Sequence, residues 1–267
     1  TVGKGANSVS TNVVLGQSAL DASVTGDNNV AIGNVAMSGA TTAADSTAVG
    51  AGALNAVTTG SYNTAVGKSA LLLATTGSNN TAVGKDALRA NNASYNTAVG
   101  MDALTANTTG VNNSALGNTT LDANTTGAYN VAVGNNALGA SITGNYNTAL
   151  GNGSLTSATT SSSNTAVGHE ALANSTAGDN TAVGRGAMNS NTTGYSNVAV
   201  GLYTLDANTT GNNNVALGMH ALGGNTTASN NTAVGYDALK ANTTGTANVA
   251  VGYKALDANT TANNNTG

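Results

Sequence analysis

Apolar residues recur along this chain in two small blocks at fixed distances, and polar residues fill the intervals. One block is a three-residue alternation such as Thr64-Ala65-Val66, closed by a glycine; the other is an Ala-Leu pair such as Ala70-Leu71. The closing glycine falls at Gly16, Gly33, Gly50, Gly67, Gly84, Gly100, Gly117, Gly134, Gly151, Gly168, Gly184, Gly201, Gly218, Gly235 and Gly252. Its spacing is 17 residues, except for 16 between Gly84 and Gly100 and between Gly168 and Gly184. Both shorter intervals lose their residue after the Leu, near the Asn-Thr-Thr stretch. A length change is tolerated in a turn and not in a packed strand, so that stretch reads as a corner.

Seventeen residues are too few for a helical hairpin repeat, and Gly, Asn and Thr are poor helix formers. The period suits one coil of a parallel β-solenoid, a β-roll with two short strands and two corners per turn. The predicted fold is all-β, with residues 1–267 forming a single array of about 15 coils. Stacked at the strand spacing, those coils would make a rod of roughly 70 Å. The interval from Gly3 to Gly16 is only 13 residues, which marks the first coil, residues 1–16, as irregular.

Each column of the repeat carries its own expectation. Four residues before the anchor stands Asn in fourteen of fifteen coils, with Ser46 the exception. Two before is Ala in every coil but the first, which has Val14, and one before is always Val, Leu or Ile. Side chains alternate across a strand, so Thr64 and Val66 share one face, and Asn63 and Ala65 the other. The β-branched face is the expected interior. The Ala column never drifts to a charged residue, so something must press on that face too. A second layer of the same coil would do this; the reading adopted is a neighbouring chain. Leu or Met, in every coil from Met37 to Leu256, is the bulkiest regular apolar residue and should be buried. The variable pair after the anchor, such as Lys85-Asp86 or His169-Glu170, should face solvent. Asn-Thr-Thr-Gly forms a corner, with Gly60, Gly110, Gly127 and Gly211 expected at positive φ. Stacked Asn side chains should bond to one another from coil to coil, as ladders do in cross-β structures.

Composition narrows the function. There is no Pro, Cys, Trp or Phe, aromatics make up 3% and charged residues 7%. A core of this composition must be thin and long. Seven Lys and Arg in all give no basic stripe to follow phosphates, which argues against nucleic acid. No apolar run approaches the ~20 residues that span a bilayer. Without Cys there is no disulfide framework and no Cys-ligated metal.

Catalysis requires a cluster that breaks the repeat. His169 and His220 fall in the solvent-facing pair, three coils or roughly 14 Å apart. Asp86 and Asp102 share a column on adjacent coils, ~5 Å apart, a separation that would suit a retaining glycosidase pair. No insertion builds a pocket around them, and Lys85 stands beside them. The chain is therefore read as not an enzyme, with no catalytic, cofactor or metal residue assigned. Asn107, Asn124, Asn191 and Asn208 formally head glycosylation acceptors, but repetition of a turn explains them better. The Thr columns, among them Thr108, Thr125, Thr192 and Thr209, could offer an array to ice or another crystal surface. The two Thr of each corner are adjacent, however, so only one column would face out.

The motif Asn-(Thr/Val)-Ala-(Val/Ile)-Gly, in "NVAIGNVAM" at Asn29–Met37 and "NVAVGNNAL" at Asn130–Leu138, resembles the YadA-like head repeat of trimeric autotransporter adhesins. The longer unit "NTAVGYDALKANTTG" is similar to repeats of phage tail fibres. That family repeat is shorter, about fourteen residues. The resemblance covers nearly the whole chain and implies a left-handed roll, a parallel homotrimer and an extracellular place on a cell surface or virion. It implies the repetitive segment of a fibre or adhesin, serving as a rod and an attachment surface for a glycan or protein receptor. An alternative comes from the ends: "NNNTG" followed by "TVGKGA" nearly regenerates the motif, so subunits stacking head to tail into a filament are also expected.

Overall fold

A computed structural model describes residues 2–3 and 9–267; of the irregular first coil, residues 1 and 4–8 lie outside the described residues. The fold is an all-β parallel β-solenoid of about 14 turns with about 17 residues per coil, and no helix occurs among the described residues. The chain divides into two compact units, residues 1–130 and 131–267. The first holds β1 (Val2–Gly3), β2 (Val13–Leu15), β3 (Val30–Ile32), β4 (Thr47–Val49), β5 (Thr64–Val66), β6 (Thr81–Val83), β7 (Thr97–Val99) and β8 (Ser114–Leu116). The second holds β9 (Val131–Val133), β10 (Thr148–Leu150), β11 (Thr165–Val167), β12 (Thr181–Val183), β13 (Val198–Val200), β14 (Val215–Leu217), β15 (Thr232–Val234) and β16 (Val249–Val251).

Within each unit, strands pair in parallel and in register, Ala on Ala, as in Ala82↔Ala98 and Ala199↔Ala216. The exception is β1, which runs antiparallel to β2 with Gly3 opposite Val14. Each coil has one strand of three residues, where two were expected. The other side of the coil is a run of turns. Their backbone groups still bond from coil to coil, as in Leu71 N–H to Ala87 O at 3.0 Å and Leu73 N–H to Arg89 O at 2.9 Å. Local bonds such as Ala74 N–H to Leu71 O, 3.2 Å, satisfy groups between them.

The interior is the reverse of the expected one. Ala65, Ala82, Ala98 and their equivalents are wholly buried, whereas Val66 is 37% exposed and Leu116 50%. The burial pattern along every strand from β2 to β16 has its centre inside and both flanks outward. Thr and Val therefore face out; Asn and Ala face in. The Ala column packs inside its own coil, so it is not the contact with a neighbouring chain. The physical reason is thickness. Leu and Met from the turn side fill the coil interior, at zero exposure from Leu20 to Leu239, and leave room for only a methyl group from the strand side.

The turns carry a conformational load that the sequence does not announce. The buried Leu sits at positive φ in coil after coil, at 52° for Leu71, 51° for Leu88 and 52° for Leu104. A left-handed non-glycine residue costs about 1–2 kcal/mol. Full burial of a Leu side chain contributes about 2 kcal/mol, so burial roughly offsets the strain. The anchor glycines are left-handed as well: Gly84 has φ 136°, and a Cβ there would lie 2.4 Å from the Gly100 carbonyl oxygen. The corner glycines Gly60, Gly110, Gly127 and Gly211 do not adopt the positive φ expected of them. Closeness explains Gly110 instead, since an added Cβ would lie 2.2 Å from Gly127 O on the next coil.

Candidate functional surfaces

The asparagines form internal ladders. Asn80 donates from its backbone N–H to Asn63 Oδ1 at 3.0 Å, and its own Oδ1 accepts from the Asn96 N–H at 2.9 Å. Its Nδ2 donates to Ala93 O at 2.9 Å, which ties the column to the corner. The same arrangement recurs in the second unit, at Asn214 between Asn197 and Asn231. These side chains are 0–1% exposed from Asn29 onward. A buried amide so fully partnered is structural.

A second ladder takes up the formal glycosylation acceptors. Asn107 and Asn124 are fully buried in the first unit, with Asn124 Nδ2 donating to Asn107 Oδ1 at 2.8 Å. Asn191 and Asn208 are fully buried in the second, with Asn208 Nδ2 donating to Asn191 Oδ1 at 2.8 Å. A glycan on any of them would require its coil to open. The Thr that follows is tied down too. The Oγ1 of Thr108 donates to Thr125 O, of Thr192 to Thr209 O and of Thr209 to Thr226 O, each at 2.9 Å. Those hydroxyls are committed to the fold.

Most of the charged residues gather on the turn side, in the segment after the anchor glycine. Asp86 and Asp102 lie on adjacent coils and line one groove with Lys68, Lys85 and Arg89. Asp86 is neutralised by Lys85 at 2.6 Å and by Arg89 at 3.6 Å. The Lys85 ammonium is raised above its usual value, first by its hydrogen bond to Asp86. His169 is exposed beside Glu170, 3.7 Å away, while His220 stacks on Tyr203 with ring centroids 6.0 Å apart. Burial pushes the Asp122 and Asp206 carboxyls above the usual aspartate range. Among the described residues no group of three His, Cys, Asp or Glu side chains could hold a metal, and no helix is long and apolar enough to cross a membrane.

What the outer surface does offer is the strand face. Val or Leu one residue before the anchor is well exposed at Val66, Leu116, Val133, Leu150, Leu217 and Val251, the last at 62%. Beside it runs the outward Thr or Val column. Sequence reasoning placed these residues inside, so it missed the surface; the unchanging Ala between them was the signal that could have found it. Compared with known protein families and with curated proteins, the chain matches none.

Proposed function

We propose that the chain is the repetitive structural segment of an extracellular fibre or adhesin, of the phage tail fibre or bacterial surface kind, built as a parallel homotrimer. The observation that carries this reading is the exposed apolar column on the strand face. Contiguous exposed apolar surface marks an interaction site in a soluble protein. A partner for this column must repeat its own apolar groups at the pitch of the coils. A second copy of the chain does so automatically, and a ring of parallel copies lets every face point to a common axis. Low charge and a single repeated scaffold suit a passive spacer better than a catalyst.

Sedimentation tests it. The wild-type chain should run as a trimer, and Val99→Asp should shift it to monomer while the β-rich circular dichroism persists. A monomeric wild type, or a variant that stays trimeric, would sink the reading.

One observation favours a second reading. Thr and Val flank the buried Ala on an in-register parallel face, as at Thr81-Val83 and Thr97-Val99. Such a regular array of methyl and hydroxyl groups suits ice or another crystalline surface better than the corner Thr columns do. Thermal hysteresis at millimolar protein would support it, and its absence would remove it.

A further inference from the structure

One column of the first unit departs from its own backbone logic. The residue before the inward Asn adopts a left-handed conformation in coil after coil. Asn79 and Asn112 hold it at φ 59° and 57°, as suits a residue type that tolerates this region. Tyr62, Tyr95 and Tyr129 hold the same conformation, at 61°, 64° and 60°. Tyrosine lacks the short polar side chain that makes Asn tolerant of this region. Its ring gains little from burial either, because the three side chains are 61%, 61% and 50% exposed. Residues kept in a strained conformation against propensity point to function.

The row is regular and firmly held. The three tyrosines and Asn79 donate their backbone N–H to the preceding coil, Tyr95 to Ser78 O and Tyr129 to Val111 O, both at 3.1 Å. From Tyr62 to Tyr129 tyrosine stands on every second coil and asparagine on the coils between; in sequence Asp45 holds the column before this run and Tyr146 after it. Two coils advance by about 9.6 Å, close to the two-sugar repeat of an extended β-1,4-linked hexose chain. In such a chain successive sugars are turned over, so the same pyranose face recurs on every second sugar. The surroundings suit a neutral ligand. Every charged residue between Tyr62 and Tyr129, from Lys68 to Asp122, lies in the turn segment after an anchor glycine, away from this corner. Around the rings are exposed Asn79, Asn112, Thr76 and Thr109, amides and hydroxyls that can bond sugar hydroxyls.

We propose that Tyr62, Tyr95 and Tyr129, with Asn79 and Asn112 between them, form a binding track for a neutral β-1,4-linked polysaccharide lying along the coil stack. Alternate sugars stack their C–H faces on the rings, and the intervening ones bond to the amides. This deepens the reading of the chain as an attachment surface and rests on it.

The test uses the full chain with oligomers of β-1,4-linked glucose and of β-1,4-linked N-acetylglucosamine, and α-1,4-linked glucose oligomers as control. Calorimetry should detect binding of one or both β-linked series and not of the control; which of the two binds identifies the sugar. A five-sugar chain, long enough for all three rings, should bind about tenfold more tightly than a three-sugar chain. Tyr95→Asn installs the residue that neighbouring coils already use, so the fold should be retained, with a melting temperature no lower than wild type. It should weaken pentasaccharide binding about tenfold. No binding of either β-linked series, equal binding of the α-linked control, or unchanged affinity in Tyr95→Asn overturns the proposal. Sedimentation of the same samples keeps the two ideas apart: a trimer that ignores the sugars refutes the track alone.

Discussion

At the scale of the residue, the deciding feature is how little space the coil leaves. Ala98 has no exposed surface and faces Ala82 and Ala115 on the adjacent strands. A carboxylate there has no partner, and burying an unpaired charge costs several kcal/mol. Ala98→Asp should therefore abolish the β-rich circular dichroism of its coils, whereas Val99→Asp, one residue on and facing out, should keep the β-rich fold and lose only the stability that association of chains contributes. Equal losses in the two variants would show the interior to be wrongly assigned. Charge at the half-buried turn positions acts more gently. Burial raises the Asp122 and Asp206 carboxyls above their unfolded value. The folded chain thus holds those protons more tightly, and this contribution is fully present below the usual aspartate range and lost as pH rises through the raised value. Asp206→Asn should melt higher than wild type at pH 7, with the gap closing near pH 3. A gap that widens on acidification would contradict the assignment.

At the scale of the element, the coil is a three-residue strand followed by a long turn segment, and the glycine between them sets both. In Gly84→Ala the Cβ would meet the Gly100 carbonyl oxygen at 2.4 Å, and alanine disfavours φ 136°. The strand above would have to lift away. The expected result is a loss of several kcal/mol in denaturant unfolding, well beyond the ~1 kcal/mol of an ordinary surface substitution. A loss near that lower figure would mean the coils can part at little cost. Much of this element was legible in the sequence. The constant Asn announced its ladder, the constant Leu its burial, and the two deletions located a corner. The phase of the strand was not legible, because a period of two shows that faces alternate and not which one turns inward. Preference for β-branched residues inside suggested Thr and Val, and the bulk of Leu71 or Leu104 overrode it. The left-handed Leu was also hidden, since nothing in its side chain signals positive φ. The tyrosine row was hidden for the same reason: only the backbone shows that Tyr95 occupies a position suited to Asn.

At the scale of the whole molecule, stability is local. The backbone bonds between coils join residues 15 to 18 apart, from Thr97 N–H to Asn113 O in the first unit to Thr232 N–H to Asn248 O in the second. Among the described residues, no element reaches beyond its neighbouring coils. A stack of this kind behaves as a sum of coil and interface terms, so damage should spread over a few coils and stop. Hydrogen exchange on Ala98→Asp gives the measurement. Amides of β6, β7 and β8 should lose protection by several orders of magnitude, because opening these coils no longer costs the full local free energy. Amides of β13, β14 and β15, in the other compact unit, should exchange at wild-type rates. Uniform loss across all strands would mean that the chain unfolds as one cooperative body. In that case no coil could carry a binding residue independently of the rest, and single substitutions such as Tyr95→Asn would have to be judged against global stability first.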